Sequence, residues 1–375
     1  MKIALVSPLF ESVPPRLYGG TERVVSYLTE ELVRQGHAVT LFASGDSITR
    51  ARLHACSERG LRLGGCRDTW AAHVLQMEEV IESAPQFDII HFHTDHLHQP
   101  FVRHLRIPAL TTLHGRLDLP ELAPLYRRFN DAPLVSISDA QRRPLPFANW
   151  VGTVHHGMPP ELLAASSKPG SYLAFLGRIS PEKGPDRAIR IARRAGIPIK
   201  IAAKVDRQDQ AFFEREVAPL LGAPGVEFIG EISDRDKNAF LAGALALLFP
   251  IDWPEPFGIV MIESIACGTP VIAFPCGSVR EIVKPGVSGV IARGEDEAVA
   301  AARRVESLDR AACRRAFEQR FTAERMAHDY LNLYQGVLEV HALSQRMAAA
   351  RSTRRALAEV SAPTAASGII LPRAN

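Results

Sequence analysis

Two glutamates bracket a nearly unbroken apolar run in the stretch FPIDWPEPFGIVMIESIACG, residues 249–268. Pro256 cannot occupy a helix interior and Gly258 weakens one, so the sequence predicts a helix that begins at about residue 257 or 258. Glu255 then lies on the preceding loop, and Glu263 lies in the second turn among apolar neighbours, which predicts that Glu263 is buried. An unpaired buried carboxylate is very costly, so Glu263 needs an arginine or backbone amides of the core, or a bound ligand.

Two basic residues follow the first predicted strand of the second half, in FLGRISPEKG. Ligands of open parallel sheets bind beyond the carboxyl ends of the strands, so Arg178 and Lys183 indicate an anionic ligand, with a pair of surface bases as the alternative. The helix that starts near Gly258 adds unpaired backbone N–H groups and the positive end of its dipole. Together these groups could hold a diphosphate without a metal ion. Glu263 would then accept hydrogen bonds from a ribose diol, and Glu255 would contact a sugar.

Weaker signals lie in the first half of the chain. YGGT, with Gly19 and Gly20, follows the first predicted strand at the position of a phosphate-binding loop. The dinucleotide fingerprint G-x-G-x-x-G is absent, however, and a simple turn has the same residues. TTLHG places His114 at the carboxyl end of a strand, although a lone histidine is more often structural than functional.

Two further motifs contain residue types that bind metals. HFHTDHLHQP contains four histidines, His91, His93, His96 and His98. No cysteine accompanies them and the strand is apolar, which favours packed histidines that line a cleft over a zinc site. SDRD contains the pair Asp234 and Asp236 in the D-x-D pattern of metal-dependent sugar transferases, but Ser233 favours a capped helix start. No metal ligand is therefore predicted.

Composition and charge narrow the classes of function. The 375 residues are 46% hydrophobic and 23% charged, which is typical of a globular protein of two domains, and a net charge of +3 does not favour nucleic-acid binding. Five cysteines without a C-x-x-C pair indicate reduced thiols in a cytoplasmic protein. Pro8 interrupts the N-terminal apolar run, which predicts a strand, and no run is long enough to cross a bilayer. Any contact with a membrane is therefore expected to be peripheral.

Apolar runs alternate with helix-like segments in two successive cycles. The first cycle predicts strands in residues 2–9, 37–44, 87–93, 107–115, 132–138 and 152–157, and the second in residues 172–178, 197–203, 226–232, 244–250 and 269–275. Residues 159–171, rich in Pro, Ser and Ala, separate the cycles as a linker. This pattern predicts an α/β protein of two doubly wound domains, residues 1–160 and 161–320. A helix over residues 321–345 must pack on another element, and residues 346–375 are expected to form a loose tail.

The chain resembles the retaining glycosyltransferases of family four, within the group 1 glycosyl transferases, which have the GT-B fold. The resemblance spans residues 2–335 and rests on YGGTERVV, TLHG, SISDAQR, HHG, LGRISPEKG, EPFGIVMIE, GTPVIAF and GSVREIV. It implies two Rossmann-like domains that face each other across a cleft, with a nucleotide-sugar donor held mainly by the second and an acceptor by the first. It also implies that the final helix crosses back to the first domain.

The resemblance implies roles for four residues at the reacting centre. Arg178 and Lys183 are similar to the family's clamp on the diphosphate. Glu255 resembles the family's contact with the sugar hydroxyls, with nucleophilic attack as a less favoured role. His114 resembles the residue that hydrogen-bonds the donor sugar near the reacting carbon.

Further residues are implied to bind the donor. Glu263 is similar to the ribose ligand of the family, and the amides of Phe257, Gly258 and Ile259 are expected near the sugar and phosphates. Gly19 and Gly20 resemble the loop that closes over the phosphates.

The implied reaction is a metal-independent, cofactor-free transfer of a hexose with retention, in which the donor phosphate takes the proton of the acceptor. The expected donor is UDP-glucose or a similar UDP-hexose. IKIAAKVD, with Lys204 and Asp206, departs from the glycine-rich strand end of many members at the base pocket. The acceptor can be a glycan, a lipid-linked sugar or a small metabolite. The alternatives are a nucleotide-sugar epimerase or a phosphorylase on the same fold, and a non-catalytic nucleotide-sugar-binding protein.

Overall fold

The apolar runs of the two halves form two separate parallel sheets. The structure, a computed structural model, describes residues 1–16, 19–103 and 105–361, and side chains up to residue 351. The first sheet contains β1 (Lys2–Val6), β2 (Ala38–Ser44), β3 (Arg52–Ser57), β4 (Ile89–Phe92), β5 (Ala109–Thr112), β6 (Leu134–Ser136) and β7 (Trp150–Thr153). Its strand order is β3-β2-β1-β4-β5-β6-β7, and all neighbouring strands are parallel.

The second sheet repeats this plan. It contains β8 (Tyr172–Arg178), β9 (Ile199–Lys204), β10 (Val226–Gly230), β11 (Ala244–Phe249), β12 (Val271–Ala273) and β13 (Gly289–Ile291), in the order β10-β9-β8-β11-β12-β13. The strand order reverses between β1 and β4 in the first sheet and between β8 and β11 in the second. Such a switch point opens a crevice at the carboxyl ends of the strands, where doubly wound proteins bind ligands. The predicted α/β fold class is confirmed.

Helices cover the faces of both sheets, and the inner strands such as β1, β4 and β11 are apolar because they are buried on both sides. The first half contributes α1 (Gly20–Arg34), α2 (Thr69–Ser83), α3 (Gln99–Val102), α4 (Leu122–Arg128) and α5 (Asp139–Arg142). The second half contributes α6 (Pro185–Ala195), α7 (Gln210–Phe212), α8 (Ala218–Leu221), α9 (Asp234–Ala242), α10 (Ile259–Ala266), α11 (Val279–Ile282), α12 (Glu295–Ala302) and α13 (Arg310–Arg320). The last helix is α14 (Ala323–Ser361).

Two strands are not predicted by the sequence pattern. β3 has the sequence RLHACS and is only partly buried, because it is the outer strand of the first sheet. β13 has only three residues. Both gain their strand conformation from pairing with a neighbour, β2 and β12 respectively, which a short or polar sequence does not reveal.

Helix α14 crosses back to the first domain, as the resemblance implies. Its side chains Tyr330 and Tyr334 are fully buried. The Tyr334 hydroxyl shares a hydrogen bond of 2.7 Å with Nδ1 of His91 on β4, and the Tyr330 hydroxyl lies 3.0 Å from Oγ1 of Thr112 on β5. Nε2 of His91 in turn lies 2.8 Å from Thr112 Oγ1, so the network joins the helix to two strands of the first sheet.

Part of the segment expected to form a loose tail is helical. Helix α14 continues through residue 361, whereas the tail was expected from residue 346. The segment MAAARSTRRALAEVS is poor in large apolar side chains, but Ala, Arg, Leu and Glu favour helix, so it extends the preceding helix. Residues 362–375 lie outside the described part of the chain. Within the described residues, no helix has the length and apolar character required to span a membrane.

The replacement Tyr334→Phe tests the attachment of α14. It keeps the ring but leaves Nδ1 of His91 unpaired in the interior, which should lower the free energy of unfolding by about 1–3 kcal/mol. Urea denaturation checks this value. The matched control on the same helix is Val340→Ala, at a side chain that is 67% exposed, and it should change stability little. A Tyr334→Phe protein as stable as the parent would contradict this account.

Candidate active site in the interdomain cleft

A cleft of about 540 Å³ lies between the carboxyl edges of the two sheets. All of the site residues predicted from the sequence line it: Gly19, Gly20, His114, Arg178, Lys183, Glu255, Phe257, Gly258, Ile259 and Glu263. The first domain contributes the loop after β1 and the ends of β4 and β5. The second contributes the loop after β8 and the segment between β11 and α10. A volume of this size is typical of small-molecule sites.

The segment before α10 turns sharply at Gly258. This residue precedes the first helical residue and has φ 78°, a left-handed conformation that side-chain-bearing residues rarely adopt. A Cβ atom at this position would lie 2.7 Å from the Met261 Cε atom. The turn is held by Ser278, whose hydroxyl donates to the Phe257 carbonyl at 2.8 Å. Gly258, Ile259 and Val260 at the start of α10 line the cleft, where the N-terminal end of a helix favours an anion.

Glu255 is held by two donors beside this helix end. Its carboxylate forms an ion pair with Lys183 and accepts a hydrogen bond from Trp253 Nε1 at 2.9 Å. The Lys183 ammonium also lies 4.7 Å from the centre of the Trp253 ring, at a cation–π distance. These contacts fix the lysine and the carboxylate at the same point of the cleft wall.

Arg178 lies at the end of β8 on the same wall. Its guanidinium donates to Glu182 at 2.6 Å, and its Nε atom lies 3.4 Å from a carboxylate oxygen of Asp209. Lys204, at the end of the neighbouring strand β9, lines the cleft as well and pairs with Asp206 at 3.0 Å. Lys204 belongs to the segment IKIAAKVD, which replaces the glycine-rich strand end of many family members, and it is thus a third cation along this wall.

Glu263 is buried and forms an ion pair with a lysine of helix α9. Lys237 of α9 donates to Glu263 at 2.7 Å and lies 3.0 Å from Asp234, which forms an ion pair with Arg23 of the first domain. Burial by itself would raise the pKa of Asp234, but Lys237 and Arg23 outweigh it and lower this pKa. Ser233 occupies the position before α9, as predicted for SDRD, but its hydroxyl donates to the Asp236 carboxylate at 2.7 Å and caps no backbone N–H. The ion pair of Asp234 with Arg23 joins the two domains across the cleft.

His114 is one of a group of neutral histidines. Its Nε2 atom lies 2.9 Å from Nδ1 of His93, and its ring stacks on that of His156 at 5.3 Å. Burial lowers the pKa of His114 to about 3 and lowers the pKa values of His93 and His156 well below the ordinary value. The backbone N–H of His114 donates to Asp95, at 3.2 Å, and Asp95 adopts φ 49°. A neutral imidazole at this position can exchange hydrogen bonds with a hydroxyl group without adding charge.

Several cleft residues are not predicted from the sequence. Asp95 could have been noticed, because it follows a buried strand within HFHTDHLHQP. Arg23, Lys237 and Trp253 carry no such signal, since each is an ordinary residue of a helix or loop until the chain folds. The separation in sequence between Arg23 and its partner Asp234 is 211 residues.

Glu22 is a buried carboxyl group on the first-domain side of the cleft. It lies in the first turn of α1. Gly19 packs closely against it, because a Cβ atom added to Gly19 would lie 3.2 Å from the Glu22 Oε2 atom and 2.7 Å from the Pro15 side chain. Burial raises the pKa of Glu22 from its ordinary value of 4.5 to about 7. This carboxyl group can therefore take up or release a proton near neutral pH.

A second group of polar contacts joins the domains beside the cleft. The Ser138 hydroxyl donates to the Pro256 carbonyl at 2.6 Å. The Glu281 carboxylate of α11 accepts the backbone N–H groups of Asp139 and Ala140, at 2.8 Å each, at the start of α5. These contacts connect the motifs SISDAQR and GSVREIV and place the segment before α10 against the first domain.

The buried Glu22 should make stability depend on pH. The folded protein holds the Glu22 proton more tightly than the unfolded chain does, so the free energy of unfolding should fall as the pH rises from about 4.5 to about 7. Glu22→Gln cannot ionise and should not show this loss. Its free energy of unfolding should therefore exceed that of the parent by up to about 3 kcal/mol at pH 8 and by much less at pH 5. Urea denaturation at both pH values measures the difference. Glu58→Gln, at an exposed carboxylate, is the control, and equal effects of the two variants would contradict the assignment.

Models of known protein families match both halves of the chain. The model described as Glycosyltransferase Family 4 matches residues 18–150, and that described as Glycosyl transferases group 1 matches residues 164–320. A D-inositol 3-phosphate glycosyltransferase of Salinispora tropica is 29% identical over 201 residues, 46% of this chain and 39% of the relative. An uncharacterised glycosyltransferase of Methanocaldococcus jannaschii is 24% identical over 77% of this chain and 84% of the relative. The chain spans about a third of the length of the first curated relatives that it matches.

Solved structures share the fold. Sucrose-phosphate synthase from Thermosynechococcus elongatus has a TM-score of 0.76 at 19% identity, over 91% of this chain and 100% of that one. A glycosyltransferase involved in avilamycin A biosynthesis has a TM-score of 0.69 at 23% identity, over 90% and 98%. Anabaena HepE in complex with UDP and glucose has a TM-score of 0.69 at 19% identity, over 90% and 100%. The chain therefore belongs to the family 4 glycosyltransferases of group 1 and has their GT-B fold.

Proposed function

We propose that this protein transfers a hexose, with retention and without a metal ion, from a nucleotide sugar to a hydroxyl group of an acceptor. The proposed donor is UDP-glucose or a similar UDP-hexose. The observation that carries the proposal is the convergence of Arg178, Lys183, the start of α10 and His114 in one interdomain cleft. The free thiols favour a reducing compartment and hence the cytoplasm. Peripheral contact with a membrane stays a prediction.

The departing diphosphate is the group that this cleft is suited to stabilise. In a retaining transfer through an oxocarbenium-like state, negative charge develops on the leaving phosphate, and preorganised donors aimed at that charge lower the barrier. Arg178 and Lys183 supply fixed positive charge, and the amides after Gly258 supply aligned dipoles. Because these groups are already held by ion pairs and by the turn, they need little reorganisation when the charge develops.

The sugar and the ribose have candidate ligands on either side of the diphosphate. Glu255, held by Lys183 and Trp253, can accept hydrogen bonds from sugar hydroxyls, and the neutral His114 can reach the sugar from the opposite domain. Glu263, farther along α10, is proposed to accept the ribose diol. The donor phosphate itself is proposed to take the proton of the acceptor, so no protein nucleophile is assigned.

The relatives support a nucleotide-sugar donor but leave the acceptor open. HepE is described in complexes with UDP, with UDP and glucose, and with UDP-glucose, which supports a uridine nucleotide here. The curated relatives include D-inositol 3-phosphate glycosyltransferases, and the acceptor proposed here is the broader class of hydroxyl-bearing molecules. An epimerase on the same fold and a non-catalytic binding protein are the alternatives that the experiments below must separate.

A screen of nucleotide sugars tests the donor and the role of metal. UDP-hexoses should raise the thermal midpoint more than GDP- or ADP-sugars, and the protein should hydrolyse the preferred donor slowly when no acceptor is present. EDTA should change neither result, because the diphosphate is held by side chains and amides. If the chelator abolishes binding, the metal-free clamp is wrong. Binding without any hydrolysis or transfer would favour the non-catalytic alternative, and release of an epimerised nucleotide sugar would favour the epimerase.

Replacement of Glu263 tests the ribose site. Glu263→Gln keeps the shape of the side chain but loses a charged acceptor, so the affinity for UDP should fall about 10- to 100-fold. Isothermal titration calorimetry measures this change, with Glu58→Gln as the exposed control and circular dichroism to verify folding. Unchanged UDP affinity in Glu263→Gln would remove the ribose assignment.

Replacement of the cations tests the clamp. Lys183→Met and Arg178→Met should each lower kcat for hydrolysis or transfer by about 100-fold or more, because each removes charge that stabilises the leaving group. Lys168→Met, at an exposed lysine of the linker, should leave kcat unchanged. If the two clamp variants lose thermal stability but keep kcat, the cations are structural and the clamp assignment is wrong.

A further inference from the structure

A histidine, a cysteine and a glutamate meet on the outer edge of the first sheet. His54 and Cys56 lie two residues apart on β3, so their side chains project from the same face of this edge strand. Glu79 comes from α2, which packs on that face. Nε2 of His54 and Oε2 of Glu79 are 3.0 Å apart, and the ligand atoms of all three residues lie within 4.8 Å of one another. None of the three lines the interdomain cleft.

The cluster has an apolar floor and a side open to water. The His54 ring stacks on that of the buried Phe42 at 4.5 Å, and Cys56 packs against the apolar cluster that contains Phe42, Met77 and Val80. The side chains of His54 and Glu79 are 33% and 38% exposed. The apolar residues pack against one side of the cluster, whereas the open side admits an ion and a water molecule.

We propose that His54, Cys56 and Glu79 form a binding site for a divalent transition-metal ion, with zinc as the best match and water as the fourth ligand. Thiolate, imidazole and carboxylate together suit Zn²⁺, whereas Mg²⁺ and Ca²⁺ take oxygen ligands. On binding, Cys56 forms a bond from sulfur to the metal and its thiol proton passes to solvent.

The spacing of the three ligand atoms is close to what such a site requires. Neighbouring ligand atoms of a tetrahedral zinc ion are about 3.3–3.6 Å apart, given bonds of about 2.0–2.3 Å. His54 Nε2 and Glu79 Oε2, which are 3.0 Å apart, have to separate by about 0.3 Å to reach this spacing. Cys56 Sγ lies within 4.8 Å of both atoms and has to move toward them by at most about 1.5 Å. Rotation of half-exposed side chains about χ angles supplies movements of this size.

A metal ion at this position would join an edge strand to a helix. β3 pairs with β2 on one side, and on the other it is the outermost strand of the sheet within the described residues. An ion that binds the folded but not the unfolded protein raises the thermal midpoint by mass action. The expected effect is on stability of the first domain, and donor binding in the cleft should not change.

Cobalt(II) is a suitable probe, because a thiolate ligand gives it a charge-transfer band and tetrahedral coordination gives it intense visible bands. The full chain, without a polyhistidine tag and freed of metal with EDTA, should develop both signals up to one equivalent of Co²⁺ and lose them when Zn²⁺ is added. Cys56→Ser should abolish the charge-transfer band. Cys66→Ser, which changes an exposed thiol of the same domain, should leave it intact.

Further variants separate a site from isolated side chains. His54→Gln and Glu79→Gln should each weaken Zn²⁺ binding about 10-fold or more, and Zn²⁺ should raise the thermal midpoint of the parent but not of Cys56→Ser. A parent without the cobalt bands, bands that survive Cys56→Ser, or bands lost in Cys66→Ser would overturn the proposal. Circular dichroism verifies that each variant is folded. UDP binding is measured in the same samples, so a failure here is distinct from a failure of the donor site.

Discussion

The arrangement of the cleft depends on one electrostatic constraint: each buried carboxylate within α10 or on the loop before it must be paired with a cation. Glu255 is paired with Lys183 from the loop after β8, and Glu263 with Lys237 from α9. A buried charge without a partner costs several kcal/mol, so these pairings tie two other elements to the same helix. As a result Lys183 lies beside the amides that follow Gly258, and an anion can be held by both.

The same kind of pairing connects the two domains. Lys237 also contacts Asp234, which reaches Arg23 of the first domain, and Glu281 accepts the first amides of α5. The donor side of the cleft is thereby fixed relative to the side that carries His114.

Helix α14 adds a third connection through the buried contact of Tyr334 with His91.

Much of the fold follows from local sequence, because strands buried on both faces are apolar and glycine and proline interrupt helices. The start of α10, the loop position of Glu255 and the burial of Glu263 were all predictable for these reasons. β3 was not, since a partly exposed edge strand with Arg, His and Cys has no such pattern. The continuation of α14 beyond residue 345 was also missed, because helix propensity outweighs the lack of large apolar residues there.

The sequence by itself determined which residue types lie at the strand ends: two cations after β8, a carboxylate on each side of a helix start, and a histidine after β5. It could not determine their partners. Glu263 meets a lysine from α9 instead of a core arginine, and His114 meets His93 and an aspartate in a left-handed turn. Contacting groups such as these lie 19 to 211 residues apart in the sequence. Whether they meet depends on how sheets and helices pack, which a local sequence pattern does not reveal. Only the tertiary structure therefore decided which charges and hydrogen-bonding groups meet in the cleft.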